Sequence, residues 1–306
     1  MFVPRETLFM IEVSNCIICK SDQFKPFLVC KDYTVSKKDF TIQQCNSCGF
    51  KFTSPRPSDS ELGNYYKSEE YVSHSDTKKG LVNKLYHWVR NYTLIKKLQL
   101  LIHYAGKQGT ILDYGCGTGA FLNTCSKNKW NSFGVEPDPD ARNIAIQNYG
   151  LNVSQNLEEV QSKLGETKLN AVTMWHVLEH VSNPDELFSF IKSNLVEKGI
   201  LIIAVPNCSS HDAVYYGAHW AAYDVPRHLY HFTPKDMEAL LDKQGFKLEK
   251  TLPMVFDSFY VSMLSEKYKN GSISYLKAFY RGLVSNLKAN KTGKEFSSQI
   301  YVFRKR

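Results

Sequence analysis

Long apolar runs are missing from this chain of 306 residues. Its best candidate, Gly199-Ile-Leu-Ile-Ile-Ala-Val205, has the length of a β-strand and falls far short of the ~18 residues of a membrane span, so a soluble protein is expected. The stretch Met1-Phe-Val-Pro-Arg-Glu-Thr7 has no basic segment leading into an apolar one and a small-residue cleavage site. That absence argues against secretion and sets a cytoplasmic expectation. With 43% hydrophobic and 22% charged residues, the composition excludes a disordered, collagen-like or coiled-coil chain. No internal repeat of fixed period is visible, so a solenoid is not expected.

What is present begins with the cysteines. Four of the eight stand as Cys16-Ile-Ile-Cys19 and Cys45-Asn-Ser-Cys48. Two such pairs match two zinc knuckles, each turn offering two thiolates from one side so that the pair closes a tetrahedral site. A thioredoxin-like motif would need one C-x-x-C beside a βαβ unit, and a reducing compartment disfavours disulfides. Gly49, directly after Cys48, is free to take positive φ and let backbone amides turn toward sulfur. Four thiolates leave no open coordination position, so the expected zinc is structural, held by Cys16, Cys19, Cys45 and Cys48. Cys30 lies between the pairs as an ordinary thiol.

Length alone suggests about two domains. Residues 1–58 read as the zinc ribbon, 59–108 as a helical connector and 109–306 as an α/β domain. Ser54-Pro-Arg-Pro-Ser-Asp-Ser60 reads as an extended linker, and a tyrosine-rich segment with Tyr65, Tyr66 and Tyr71 follows. Apolar residues at Leu81, Leu85, Trp88, Val89, Tyr92, Ile95, Leu98 and Leu101 have helical spacing and predict a helix packed on the next domain.

From Thr110 the text alternates strand and helix patterns. Strands are expected at Ile111–Tyr114, Asn131–Val135, Leu169–Met174 and Gly199–Val205, with helices at Ala120–Ser126, Asp140–Gln147 and Asp185–Leu195 between them. Such alternation predicts a doubly wound, Rossmann-like, mostly parallel sheet covered on both faces. A helix from Pro234 ends at Gly245, a strand begins at Phe246, and Ser297–Phe303 is expected as the last, edge strand.

The first strand ends in Asp113-Tyr-Gly115-Cys116-Gly117-Thr-Gly119, and Glu136 closes the second, 21 residues after Gly115. A glycine-rich turn between strand and helix lets backbone approach a ligand, and an acid about 20 residues on grips ribose hydroxyls. The glycine spacing departs from G-x-G-x-x-G, and Asp113 would repel a pyrophosphate but suits a ligand carrying an ammonium and a sulfonium.

Ile111-Leu-Asp-Tyr-Gly-Cys-Gly-Thr-Gly-Ala-Phe-Leu122 resembles the first motif of class I S-adenosylmethionine-dependent methyltransferases. Trp175-His-Val-Leu-Glu-His-Val181 with Asn183-Pro184 is similar to the segment after strand four in the subgroup containing ubiquinone-biosynthesis O-methyltransferases. The four-cysteine ribbon and Asp224-Val-Pro-Arg-His-Leu-Tyr-His-Phe-Thr233 are similar to methyltransferases of sugar and polysaccharide pathways. The Tyr-His-Glu-His run of sugar C-methyltransferases reads Val225-Pro226-Arg227-His228 here, and their large C-terminal domain is missing. The resemblance implies that Asp113, Gly115, Cys116, Gly117 and Gly119 surround the methionine part of the cofactor, that Glu136 binds the ribose, that Pro137 lies near the adenine, and that Trp175 and His176 line the pocket.

Methyl transfer to a hydroxyl needs alignment and a base. His176, His180, His228 and His231 fall in the segments after strands four and five, where such sheets bind ligands. His228 is expected as base, with His180 second, and Arg227 as partner for an anionic acceptor. Methylation of exocyclic base nitrogens is disfavoured because no Asn-Pro-Pro-Tyr or Asp-Pro-Pro-Tyr follows strand four. Cys208 is a weak candidate nucleophile. The expectation is a methyltransferase using S-adenosylmethionine and structural zinc on a small-molecule acceptor, a sugar or nucleotide-sugar among them, through oxygen. An RNA methyltransferase and a non-catalytic cofactor-binding scaffold are the alternatives. Formal net charge is +8, and Thr251–Arg306 holds ten basic residues against three acids. A basic end of this kind suits nucleic acid, a nucleotide-linked metabolite, a membrane surface or solvent.

Overall fold

A computed structural model describes residues 10–66, 81–292 and 295–306. Met1–Thr7 and Tyr71, which entered the sequence reading, lie outside the described residues. The strands are β1 Met10–Ile11, β2 Phe24–Lys31, β3 Asp39–Cys45, β4 Lys51–Thr53, β5 Arg56–Pro57, β6 Thr110–Tyr114, β7 Asn131–Val135, β8 Asn152–Ser154, β9 Leu169–Trp175, β10 Leu195–Pro206, β11 Tyr230–His231, β12 Phe246–Pro253 and β13 Ser298–Lys305. The helices are α1 Asp59–Leu62, α2 Leu81–Ala105, α3 Ala120–Lys127, α4 Pro139–Tyr149, α5 Leu157–Leu164, α6 Pro184–Asn194, α7 His211–Tyr216, α8 Pro234–Lys243, α9 Asp257–Asn270 and α10 Tyr275–Thr292.

Seven strands form the main sheet in the order β12-β13-β10-β9-β6-β7-β8. β10, β9, β6, β7 and β8 run parallel, and β13 is antiparallel to both neighbours. The central strands are nearly continuous apolar text, as burial on both faces requires: β10 buries Ile200 to Val205 without a break. The expected edge position of Ser297–Phe303 is corrected here. β13 sits between β10 and β12, and β12 takes the edge. Tyr301, Val302 and Phe303 are fully buried, whereas β12 exposes Lys247 and Lys250, charged residues that blunt an edge.

The ribbon does not stand apart from this body. β2, β3 and β4 form an antiparallel sheet whose fourth strand is β11, from the α/β half of the chain. Phe50 and Phe52 join the main apolar core with Tyr230 and Phe232, ring centroids of Phe50 and Phe232 lying 5.5 Å apart. The expected linker is also built in: β5 pairs with β1, and Arg56 and Pro57 are buried. The predicted helix is α2, and its second half packs on the main sheet. Leu98 and Leu101 meet Ile111, Phe121, Ile200 and Ile202, while Tyr92 and Ile95 stay exposed.

Candidate active site

The turn from β6 into α3 is the left-handed run that the glycines allow. Gly115, Gly117 and Gly119 have φ of 73°, 54° and 80°. A Cβ on Gly115 would strike Val177 at 2.5 Å, whereas one on Gly117 would enter open space. Gly115 is therefore required by packing as well as by its backbone, Gly117 by its positive φ alone, and an open cradle lies beside the loop. Glu136 reaches back across this cradle. Its Oε2 accepts from the Gly117 amide at 2.8 Å and its Oε1 from the Asp138 amide at 2.9 Å. Burial raises the Glu136 pKa against those two bonds.

Asp113 is buried at the end of β6 and accepts from Thr173 Oγ1 at 2.6 Å. Burial lifts its carboxyl toward about 7, against Thr173 and the Lys97 ammonium. Lys97, from α2, also lies 4.1 Å over the Trp175 ring, and Trp175 meets Phe121 edge-on at 5.4 Å. The indole Nε1 of Trp175 is buried without a hydrogen-bond partner. Cys116 packs its sulfur against Gly134 and the cluster of Leu122, Ala145, Leu151 and Val153, and its backbone runs through the loop. Pro137 is exposed beside Glu136, and its carbonyl accepts from Arg142 Nη1.

Past β9 the chain bends through His176, a non-glycine residue at φ 59°. Such backbone strain marks a position that the surrounding structure over-determines. His176 Nε2 lies 3.1 Å from Asp257 at the start of α9, and its Nδ1 3.6 Å from Glu179. Burial would lower its pKa, but the Asp257 and Glu179 carboxylates outweigh that and carry it to about 10. At neutral pH His176 is therefore an imidazolium between two carboxylates.

The Glu179 carboxylate is 1% exposed and accepts no hydrogen bond. One of its oxygens, a ring nitrogen of His180 and one of His228 all lie within 4.8 Å of one another. His228 Nδ1 lies 2.9 Å from the Ala222 carbonyl. A carbonyl only accepts, so Nδ1 carries the proton and Nε2 presents its lone pair. His180 Nδ1 is 3.0 Å from the Arg227 carbonyl and 2.9 Å from the Tyr66 hydroxyl, and the two imidazoles meet edge-on at 4.6 Å. Burial and the neighbouring His228 lower the His180 pKa to about 4, so His180 is neutral at pH 7.

His231 is spent on structure. Thr53 Oγ1 donates to the His228 carbonyl at 2.8 Å and accepts from His231 Nε2 at 3.0 Å, pinning β11 to the ribbon. Arg227 is corrected as well. It is 1% exposed and clamped by Asp224, Asp32 and the Tyr65 carbonyl, so it meets no acceptor. Cys208 is buried, its thiol donates to the His231 carbonyl, and burial raises its pKa to about 12, which removes it as a nucleophile.

The four ribbon sulfurs converge. One sulfur from each of Cys16, Cys19, Cys45 and Cys48 lies within 4.8 Å of the others, with Cys16–Cys48 at 3.5 Å and Cys19–Cys45 at 3.4 Å. Around a tetrahedral ion with bonds of ~2.3 Å, sulfurs stand about 3.8 Å apart, so the set fits zinc. Backbone amides of Ile18 and Cys19 point at Cys16 sulfur, and those of Ser47 and Cys48 at Cys45 sulfur. The residue after each pair, Lys20 or Gly49, has positive φ (61° and 83°) and donates its amide to the first cysteine's carbonyl. Cys30 is a buried core thiol.

Lys97, Asp257, Tyr66 and Thr173 reach the site unannounced by any motif. Lys97 lay within the helical period of α2, and Tyr66 within a tyrosine-rich stretch that carried no spacing signal.

A parallel sheet with an acid-flanked glycine turn, an open cradle beside it and an acid ending the next strand is a class I S-adenosylmethionine-dependent methyltransferase. Residues 86–251 match the model of a family described as a methyltransferase domain, and the chain belongs to that family. Among solved structures, magnesium protoporphyrin IX methyltransferase from Synechocystis PCC 6803 with bound S-adenosylhomocysteine has the same fold, with TM-score 0.53 and 14% identity over 81% of this chain and 100% of that one. A SAM-dependent methyltransferase from Archaeoglobus fulgidus matches with TM-score 0.45 and 20% identity over 71% and 94%. A search of curated protein sequences finds no match.

Proposed function

We propose that the protein transfers a methyl group to a hydroxyl of a small, carbohydrate-linked acceptor, with His228 as base and a structural zinc in the ribbon. The observation that carries this reading is the tautomer of His228. Its Nδ1 is committed to the Ala222 carbonyl, so Nε2 is the basic atom, and it stands beside the buried Glu179 carboxylate. That charge would stabilise the imidazolium formed when His228 takes the acceptor's proton. Asp113 would hold the cofactor's ammonium, Glu136 its ribose hydroxyls, the turn from Gly115 to Gly119 would lie along its methionine part, and Trp175 would wall the pocket. S-adenosylmethionine supplies an electrophilic methyl group when bound. Neutral His180 and the Tyr66 hydroxyl would orient the acceptor.

The last basic residues do not favour the RNA alternative. Arg304 is paired with Glu249, Lys305 with Glu197 and Arg306 with Asp242. Labelled-methyl transfer from S-adenosylmethionine to a panel of hydroxyl-bearing nucleotide-sugars is the test. His228→Asn should lower product formation about a hundredfold or more while cofactor affinity is unchanged. Label appearing in RNA instead, or full activity in the variant, would overturn the proposal.

Cofactor binding should depend on pH through Asp113. An ammonium binds the ionised carboxyl, and that carboxyl titrates near 7 in the free protein. Affinity should therefore rise as the pH climbs toward 7, by about fivefold from pH 6 to pH 7, before the cofactor's own α-ammonium begins to lose its proton near pH 8. In Asp113→Asn calorimetry the profile should be flat and the binding weaker. A pH-independent wild type would remove Asp113 from the ammonium site.

Zinc removal should act on the whole molecule, because β11 and the Phe50–Phe232 contact join the ribbon to the main core. One zinc per chain is expected by atomic emission, and Cys45→Ser should lose it and at least about 3 kcal/mol of unfolding free energy. A metal-free wild type with an unaltered denaturation midpoint after chelation would sink the zinc assignment.

A further inference from the structure

Helix α10 is built inside out. Its buried face is Ala278, Gly282, Ser285, Asn286 and Ala289, and this small, polar face packs against α9 so closely that a Cβ on Gly282 would lie 3.0 Å from Phe259 backbone atoms. Ser285 donates to Asp212 and Asn286 to the Val255 carbonyl. The large apolar residues lie toward solvent, Phe279 resting one ring face on Phe259 of α9 with centroids 5.2 Å apart. Leu276 is 87% exposed, Phe279 61%, Tyr280 59% and Leu287 53%, with Leu283 at 40%. Positions 276, 279, 280, 283 and 287 share one face of a helix. A surface helix of a globular protein turns such a stripe toward its core, and a contiguous exposed stripe marks an interaction surface.

The charges beside the stripe identify its partner. No acid occurs from Lys267 to Lys294, and α10 itself carries Lys277, Arg281, Lys288 and Lys291. At 100° per residue, Lys277, Arg281 and Lys288 fall within about 40° of one another along one flank of the stripe. Unlike the bases of β13, which are matched by acids, those of α10 have only Tyr215 and Tyr280 rings under Arg281 and His211 beside Lys288 among the described residues. A second copy of the chain docked antiparallel about a twofold axis would set this basic flank against itself, a repulsive arrangement. Aromatic and leucine side chains on one face with lysine and arginine beside them fit the boundary of a lipid bilayer bearing negative headgroups.

We infer that α10 is a docking surface for an anionic phospholipid membrane, with Leu276, Phe279, Tyr280, Leu283 and Leu287 entering the headgroup boundary and Lys277, Arg281 and Lys288 meeting the headgroups. The surface is tied to the site by α9, which packs beneath α10 and begins at Asp257, the partner of His176. No helix among the described residues is long and apolar enough to cross a membrane, so the contact is peripheral.

The test is co-sedimentation of the full chain with vesicles of phosphatidylcholine alone and with vesicles containing added phosphatidylglycerol. Partition into the anionic vesicles should be at least about tenfold stronger, and should weaken as salt is added. The variant Leu276→Ser/Leu283→Ser/Leu287→Ser should lose at least about tenfold of that partition, and so should Lys277→Glu/Lys288→Glu. All these positions are exposed, so S-adenosylmethionine affinity and melting temperature should stay at wild-type values, which shows the variants folded. Equal partition into both vesicles, or partition that survives the triple substitution, would overturn the inference. A concentration-dependent dimer by sedimentation equilibrium that the triple substitution converts to monomer would overturn it too, assigning the stripe to a second copy.

Discussion

Glu136→Ala should weaken S-adenosylmethionine binding by a hundredfold or more in calorimetric titration. A hydrogen bond to a charged group contributes about 1.5–3 kcal/mol, and a carboxylate on two ribose hydroxyls makes two of them, or at least about 3 kcal/mol, which is more than a hundredfold in Kd. The side chain also organises the cradle before the cofactor arrives, through the amides of Gly117 and Asp138. Its loss frees both amides and loosens the loop. Glu136→Gln keeps an acceptor for Gly117 but loses the charge, so it should fall between wild type and alanine. An alanine variant that binds as tightly as wild type would refute the ribose role.

Arg227→Met should cost about 3–5 kcal/mol of unfolding free energy, the usual cost of removing one partner from a buried ion pair. The guanidinium is 1% exposed and joins Asp224, three residues away, to Asp32 in the ribbon. Asp32 is held down at about 2 despite burial, through the Ser36 amide, Arg227 and further bonds from Ser36 and Thr34. Its folded pKa lies below its unfolded one, so it stabilises the fold at and above ordinary carboxylate pKa values, and the benefit is lost as pH falls through about 4 toward 2. Removing Arg227 should therefore lower the denaturation midpoint at pH 7 and move acid unfolding to higher pH. Arg227→Lys should recover only part of the loss, because a single ammonium cannot span both carboxylates as the planar fork does. Wild-type stability of the methionine variant would show that the pair contributes nothing net.

Arg227 also shows where reading a sequence stops. In the text it stands next to His228 in a segment after strand five, and its charge suggested an acceptor contact. Only folding reveals that Asp32, 195 residues away, reaches it first. The same holds for β13, which as the last strand in the sequence was expected at the edge, until β12 paired outside it. By contrast, the glycine turn, Glu136 and the four cysteines were legible because each is local chemistry. Positive φ needs glycine at 115 and 117, a ribose needs an acid at the end of the neighbouring strand, and a tetrahedral ion needs paired thiolates. His180 and His228 were legible as candidates from their segments. Their tautomers, and the Glu179 carboxylate between them and His176, were not, since these depend on the carbonyls of Ala222 and Arg227 and on how deeply the turn after β9 is buried.

The sequence by itself determined the doubly wound sheet and the family, through hydrophobic periodicity and a loop whose backbone only glycine can follow. It also brought the four cysteines to paired turns, by spacing alone. The tertiary structure decided which polar groups remain available for chemistry. Burial and long-range pairing consumed Arg227, His231 and Cys208, charged His176, left Nε2 of His228 basic, and turned the apolar side of α10 outward. Those outcomes follow from three-dimensional neighbours, and no local pattern of residues encodes them.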